Sequence, residues 1–187
     1  VDEKALENID RSKNILFEKY NCDRGKFYIT YCGNIGMTQN LDLLLEVAKD
    51  LEYNNDIQFV LIGDGSFRTD IEKSILKNSI RNIKILPRQP DIYIPHVFSF
   101  GDVSLVISKP GVGANSVPIK MWNIMAAKRP VLANFDENEI KDVIENNKCG
   151  IYTRAGDKGA LRDAILNLYC HRDKCLQYGQ NGQDFVL

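Results

Sequence analysis

Six short apolar runs constrain this chain more than any other feature: Phe27 to Cys32, Ile57 to Ile62, Ile83 to Leu86, Val103 to Ile107, Val131 to Ala133 and Gly150 to Tyr152. A run such as Phe59, Val60, Leu61, Ile62 is apolar on consecutive residues. As a strand it has no polar face to turn toward water, so it must be covered on both sides, as strands of parallel sheets are. Between the runs lie stretches with helical spacing, Leu41, Leu44, Leu45 and Ala48 after the first and Phe67, Ile71 and Ile75 after the second. Strand and helix alternate. With right-handed crossovers this gives a Rossmann-like, doubly wound α/β domain built on a parallel sheet of about six strands.

The length of 187 residues suits one well-packed domain. A net charge of -1 gives no broad electrostatic footprint for nucleic acid or for an acidic membrane, so any anion the chain holds is held locally. Cys22, Cys32, Cys149, Cys170 and Cys175 are odd in number and contain no Cys-x-x-Cys pair, which argues for reduced thiols in the cytoplasm and against a metal site. No apolar run is long enough to span a bilayer. His96 and His171 have no evident nucleophile partner, so a triad hydrolase is not supported. Residues 1–25, charged and helix-tolerant from Asp2 to Tyr20 and leading through the turn Asp23-Arg24-Gly25-Lys26, read as a lead-in and interdomain linker to a domain of residues 26–187. Near the other end an amphipathic helix is expected from Asp157 to Tyr169 and a second from Asp173 to Gly179. The closing tripeptide Phe185-Val186-Leu187 is apolar enough to expect a further covering segment.

Ligands of open parallel sheets bind at the carboxyl ends of the strands. Three of the loops there carry glycine pairs: Gly33-Asn34-Ile35-Gly36, Gly63-Asp64-Gly65 and Gly111-Val112-Gly113. Together they predict a glycine-lined mouth whose backbone N–H groups cradle an anion. None completes Gly-x-Gly-x-x-Gly, because Arg68 and Ser116 stand at the third position, and this disfavours a dinucleotide. Gly111 to Lys120 runs into an apolar helix expected from Met121 to Ala127, with Ser116 or Asn115 as its cap and Pro118 in its first turn. Lys120 opposes the helix dipole there unless a phosphate sits between them. The Pro87-Arg88-Gln89-Pro90 loop offers a rigid surface and a guanidinium to a flat ring. Asp102 reads as a group paired within the fold, and Asp136, Glu137 and Glu139 as complements to a helix dipole.

These motifs, in this order, resemble the C-terminal, nucleotide-sugar-binding domain of the family 4 (group 1) glycosyltransferases, one half of a GT-B fold. The likeness is greatest to the bacterial branch that builds surface polysaccharides and runs from about Tyr31 to Val186. It is carried by Gly33 to Gly36 with Gln39-Asn40-Leu41, Gly63-Asp64-Gly65, Ser116-Val117-Pro118 with Lys120, Met125-Ala126-Ala127 with Arg129-Pro130-Val131, and Asn181-Gly182 just before the family's last helix. The resemblance implies retaining transfer of a sugar from a nucleoside diphosphate, UDP being the commonest carrier, to an acceptor hydroxyl, with neither metal nor cofactor. It implies as partner an N-terminal acceptor domain, absent here along with the terminal helix that packs back across the cleft. Such a fragment alone is expected to be inactive. The location implied is cytoplasmic, with attachment to the inner face of the membrane through the absent half left open. The implied donor site comprises Gly33, Asn34, Gly36, Gln39, Gly63, Arg88, Gly113, Asn115, Ser116, Val117, Lys120 and Asn123, with the base at the Arg88 loop, the ribose near Asn123 and the sugar near Gly111 to Asn115. No catalytic base is assigned.

The chain departs from that pattern at four positions. Many relatives carry Arg and Lys where this chain has Asn34 and Gln39, and glutamates where it has Asn115 and Asn123. Amides can hydrogen-bond to hydroxyls but bring no formal charge. The cationic role then falls on Lys120, helped by the N–H groups of Gly33 to Gly36 and Ser116 to Lys120. Two alternatives stay open: half of a nucleotide-sugar epimerase, and a non-catalytic nucleotide-binding module.

Overall fold

The computed structural model describes residues 7–187. Its strands are β1 (Phe27–Cys32), β2 (Ile57–Ile62), β3 (Ile83–Leu86), β4 (Val103–Ile107), β5 (Val131–Phe135) and β6 (Gly150–Arg154). They form one all-parallel sheet in the order β3-β2-β1-β4-β5-β6. The helices are α1 (Ile15–Lys19), α2 (Leu41–Asp50), α3 (Arg68–Lys77), α4 (Ile94–Phe98), α5 (Lys120–Ala126), α6 (Glu139–Asn146), α7 (Lys158–Cys170) and α8 (Arg172–Val186). The Rossmann-like reading therefore holds. β5 and β6 run two residues beyond their apolar cores because buried polar groups pair inside the sheet: Asn134 Nδ2 donates to Thr153 Oγ1 at 3.0 Å and to the Arg154 carbonyl at 2.9 Å.

Side chains on β1 alternate between faces, as the pleat requires. Phe27, Ile29 and Tyr31 join the core under α2 and α7, while Tyr28 joins a cluster with Val60, Leu86 and Phe100 on the other face. Burial on both sides is the reason these strands carry so little polarity. The second cluster also holds Leu16 and Phe17 of α1, both fully buried, with the Phe17 ring stacked on Phe100 at 4.1 Å. The described part of the segment read as a linker is thus packed into the domain, while residues 1–6 of that segment lie outside the described residues. Arg11 ties it down further, with Nη2 at 2.7 Å from Asp102 Oδ2, which also accepts the Tyr28 N–H. Asp102 is paired within the fold, as expected.

At the other end, α8 is longer than the helix expected from Asp173 to Gly179, and Asn181-Gly182 lies inside it. Its glycines allow close approach to α5: a Cβ at Gly179 would collide with the Lys128 carbonyl, and one at Gly182 would sit 3.0 Å from Met125 Cγ. Phe185 lies beside Trp122, and Leu187 is exposed. All five cysteines are free. No helix among the described residues is long and apolar enough to cross a membrane.

Candidate functional site

The strand order reverses between β1 and β4: β2 and β3 lie on one side, β5 and β6 on the other. Loops leaving adjacent strands at such a point diverge and open a crevice at the carboxyl edge. Here the crevice has a volume of about 490 Å³.

Its floor is set by two glycines. Gly33 and Gly63 follow β1 and β2 with φ of 144° and 157°, a region side chains rarely adopt. A Cβ at Gly63 would collide with the Gly33 carbonyl, so the two turns can touch only because Gly63 carries no side chain. The Gly33 N–H donates to the Ile62 carbonyl at 3.0 Å and the Gly63 N–H to that of Leu86 at 3.1 Å, extending the sheet pattern into the turns.

Lys120, the first residue of α5, reaches across the reversal point to this floor. Its Nζ lies so close that a Cβ on Gly33 would be 2.7 Å away, and it sits 4.1 Å from the centre of the Tyr31 ring. Burial pushes the ammonium down to about 8, and no carboxylate among the described residues forms an ion pair with it. The neighbouring Cys32 thiol cannot neutralise it, since burial pushes that group up to about 12 against the pull of the ammonium. A half-buried cation over an aromatic face, with no anion of its own, is a poised anion receptor.

The crevice brings together Gly33, Asn34, Gly63, Arg88, Lys120 and Asn123 of the expected site. A smaller cavity of about 150 Å³, with Lys120 in its wall as well, is lined by Gln39, Gly113 and Ser116. Gly36, Asn115 and Val117 line neither, and Asn115 is exposed.

The cradle of backbone N–H groups needs correction. In the first loop the Gly33, Ile35 and Gly36 N–H groups are already bonded, to the Ile62 carbonyl, the Asp64 carbonyl and Gln39 Oε1. In the third loop the Asp136 carboxylate accepts from the Gly111 N–H at 3.0 Å and the Gly113 N–H at 2.8 Å, closing that loop from within. Asp136 is therefore a loop clamp rather than a complement to a helix dipole. Asn138 helps by donating to the Gly113 and Ser116 carbonyls while capping α6. Nor do Ser116 or Asn115 cap α5: the helix starts at Lys120, its N-cap position is Ile119 with no side-chain bond, and Ser116 Oγ turns back to the Gly113 carbonyl.

Several crevice residues were not among those expected in the site. Asp64 comes from the second turn, and Asp91, Ile94, Val97 and Phe98 come from the segment after β3. Ile94, Val97 and Phe98 follow the i, i+3, i+4 pattern and lie just beyond the Arg88 loop, which was the available signal. Gln89 is buried, donating to Tyr20 Oη and the Pro87 carbonyl, so it fixes the loop while Arg88 stays exposed. Among the described residues no cluster of His, Cys, Asp or Glu is arranged to hold a metal.

Fold and crevice define a Rossmann-like α/β domain with an open crevice at its topological switch point. The chain belongs to the glycosyl transferases group 1 family, whose model matches residues 12–185. It is 30% identical over 117 residues to WcaI of Escherichia coli (strain K12), which bears the name of a colanic acid biosynthesis glycosyl transferase; the match covers 63% of this chain and 28% of WcaI. Its fold is similar to that of HepE from Anabaena in complex with UDP-glucose, with a TM-score of 0.82 at 15% identity over 98% of this chain and 50% of HepE. It is likewise similar to the C-terminal domain of LpcC, a glycosyl transferase group 1 family protein of Francisella tularensis, with a TM-score of 0.75 at 18% identity over all of this chain and 96% of that one. The chain thus spans only part of WcaI and half of HepE.

Proposed function

We propose that this chain is the donor-binding half of a retaining glycosyltransferase that moves a sugar from a nucleoside diphosphate sugar, UDP-linked, to an acceptor hydroxyl in polysaccharide or glycolipid synthesis. The observation that carries this reading is the unpaired Lys120 ammonium at the Gly33 turn. A diphosphate leaving group gains negative charge as the glycosidic bond breaks, and a cation already fixed at that place stabilises it without reorganisation. With the loop N–H groups largely occupied, Lys120 takes most of that role, and Arg88 at the rim is placed to meet the base. Asn123 in the crevice wall is the group assigned to the ribose. No metal takes part in this reading, and the acceptor site belongs to the absent half. UDP-glucose in HepE and the membership of a glycosyl transferase family support it.

The amides Asn115 and Asn123 favour a second reading, a nucleotide-binding module without turnover. One experiment addresses both. The full-length protein is titrated calorimetrically with UDP, GDP, ADP and CMP, then incubated with labelled UDP-sugars and a lipid-linked acceptor. Preferential UDP binding that is lost in Lys120→Met, together with labelled product, is the expected result. UDP binding without product gives the second reading, and absence of binding to every nucleotide overturns both.

A further inference from the structure

A separate cavity of about 250 Å³ opens at the amino-terminal edge of the sheet, lined by residues at the starts of β1, β4 and β5 and by the first turn of α8. β1 has six residues, so the length of the strands, ~20 Å, separates this cavity from the crevice. Four lining side chains are cations, Arg11, Lys128, Arg129 and Arg172, against the single carboxylate of Asp102. In a chain of net charge -1 such a gathering is a local feature. Asp102 Oδ2 is already engaged by Arg11 Nη2 and the Tyr28 N–H. Among the described residues Lys128, Arg129 and Arg172 form no ion pair.

Two of the three, Arg129 and Arg172, are held in place. Arg172 is stacked over the Phe27 ring at 4.1 Å, and its Nε donates to the Tyr169 carbonyl, which leaves the Nη groups available. Arg129 Nη2 donates to Asn8 Oδ1 and the Ser99 carbonyl, while its Nε is buried with no hydrogen-bond partner. Lys128 has φ of 59°, a left-handed conformation that favours Gly or Asn, so its backbone position gives no reason for a lysine. Like charges gathered around a concavity, two of them fixed guanidinium groups, repel one another until an anion enters, and guanidinium groups match tetrahedral oxyanions in shape as well as charge.

We propose that this cavity binds a phosphate group, at a site distinct from the crevice at the opposite edge of the sheet. The proposal rests on the cation cluster and is independent of the donor-binding reading. The phosphate could come from a soluble monoester or from an anionic lipid headgroup, and the experiment separates these sources.

The full-length protein is titrated with inorganic phosphate in the presence of UDP, and again as Lys120→Met. Saturable binding that neither UDP nor Lys120→Met alters is expected. It should weaken at least ~10-fold in the double variant Lys128→Asn/Arg172→Gln, in which Asn retains tolerance for the left-handed backbone. The charge-preserving Lys128→Arg/Arg172→Lys should keep it, which separates loss of charge from loss of structure. Flotation with phosphatidylcholine vesicles, with and without phosphatidic acid, identifies the source: retention on the acidic vesicles alone, lost in the charge-removing double variant, assigns a lipid headgroup. Binding of free phosphate without vesicle retention assigns a soluble ligand. The proposal is overturned if neither probe binds, if UDP displaces the phosphate, or if the charge-removing variant binds as well as the parent protein.

Discussion

Lys120→Met should move stability and donor affinity in opposite directions. Burial holds the ammonium at about 8 in place of its ordinary 10.5, a difference of ~3 kcal/mol at ~1.4 kcal/mol per pH unit, so the free domain carries the charge at a cost. The partial exposure of the residue and the Tyr31 ring both reduce that cost, leaving a net of about 1 kcal/mol. Methionine has nearly the same length and no charge, so the unliganded protein should become more stable by about 1 kcal/mol at pH 7. The same change removes the cation from the diphosphate. A hydrogen bond to a charged group contributes ~1.5–3 kcal/mol, so UDP affinity should fall by roughly 10- to 100-fold. Urea denaturation and calorimetric titration with UDP on the full-length protein read the two effects separately. A variant that is less stable yet binds UDP within about twofold of the parent protein would refute the reasoning, because Lys120 would then be a packing residue over Tyr31.

Further outcomes follow from the structure. UDP affinity should be greatest below pH 8 and decline as pH rises through about 8, where free Lys120 loses its proton; the stability of the unliganded protein should rise between about 8 and 10.5, because the unfolded chain binds more protons there. Calorimetry in buffers of different ionisation enthalpy should show proton uptake on binding near pH 8, absent in Lys120→Met. Gly63→Ala introduces a Cβ into the Gly33 carbonyl at a φ of 157° and should destabilise by roughly 2–4 kcal/mol in urea denaturation, with loss of UDP binding as the floor of the crevice deforms. Asp136→Ala strips the Gly111 and Gly113 N–H groups of their acceptor and should cost ~2–3 kcal/mol by the same assay.

The sheet was legible because its four central strands, buried on both faces, are written as nearly continuous apolar runs, and each of the six runs became a strand. The ends of β5 and β6 were not, because Asn134 and Thr153 look like loop residues until they are seen to bond to each other. In the helix-tolerant segment before β1, the bounds and packing of α1 escaped for a different reason: a five-residue helix has too few turns to show a period, and Leu16 with Phe17 is only an apolar pair in a charged segment until Phe100 is found beneath it. In the crevice, residue types announced which turns could approach a ligand, since glycine spacing follows from backbone geometry. They did not announce which N–H groups were still available. That depends on acceptors supplied from elsewhere in the chain, Asp136 for the Gly111 loop and Ile62 for Gly33, and such partnerships leave no local mark.

Lys120 is the group that joins the two halves of the sheet at the site. It is borne on the helix between β4 and β5, yet its ammonium rests on the turn after β1, across the point where the strand order reverses. Gly33 must therefore lack a side chain for two reasons, its φ of 144° and the closeness of Nζ, and Gly63 must lack one so that Gly33 can lie where it does. The two glycine turns accordingly position the lysine rather than the ligand. Their N–H groups face inward to the sheet, and what they leave on the crevice floor is room for one cation to stand close to it. A crevice built this way takes the charge on its floor from a single long side chain whose protonation is set by burial, and the response of that floor to pH passes through that one residue.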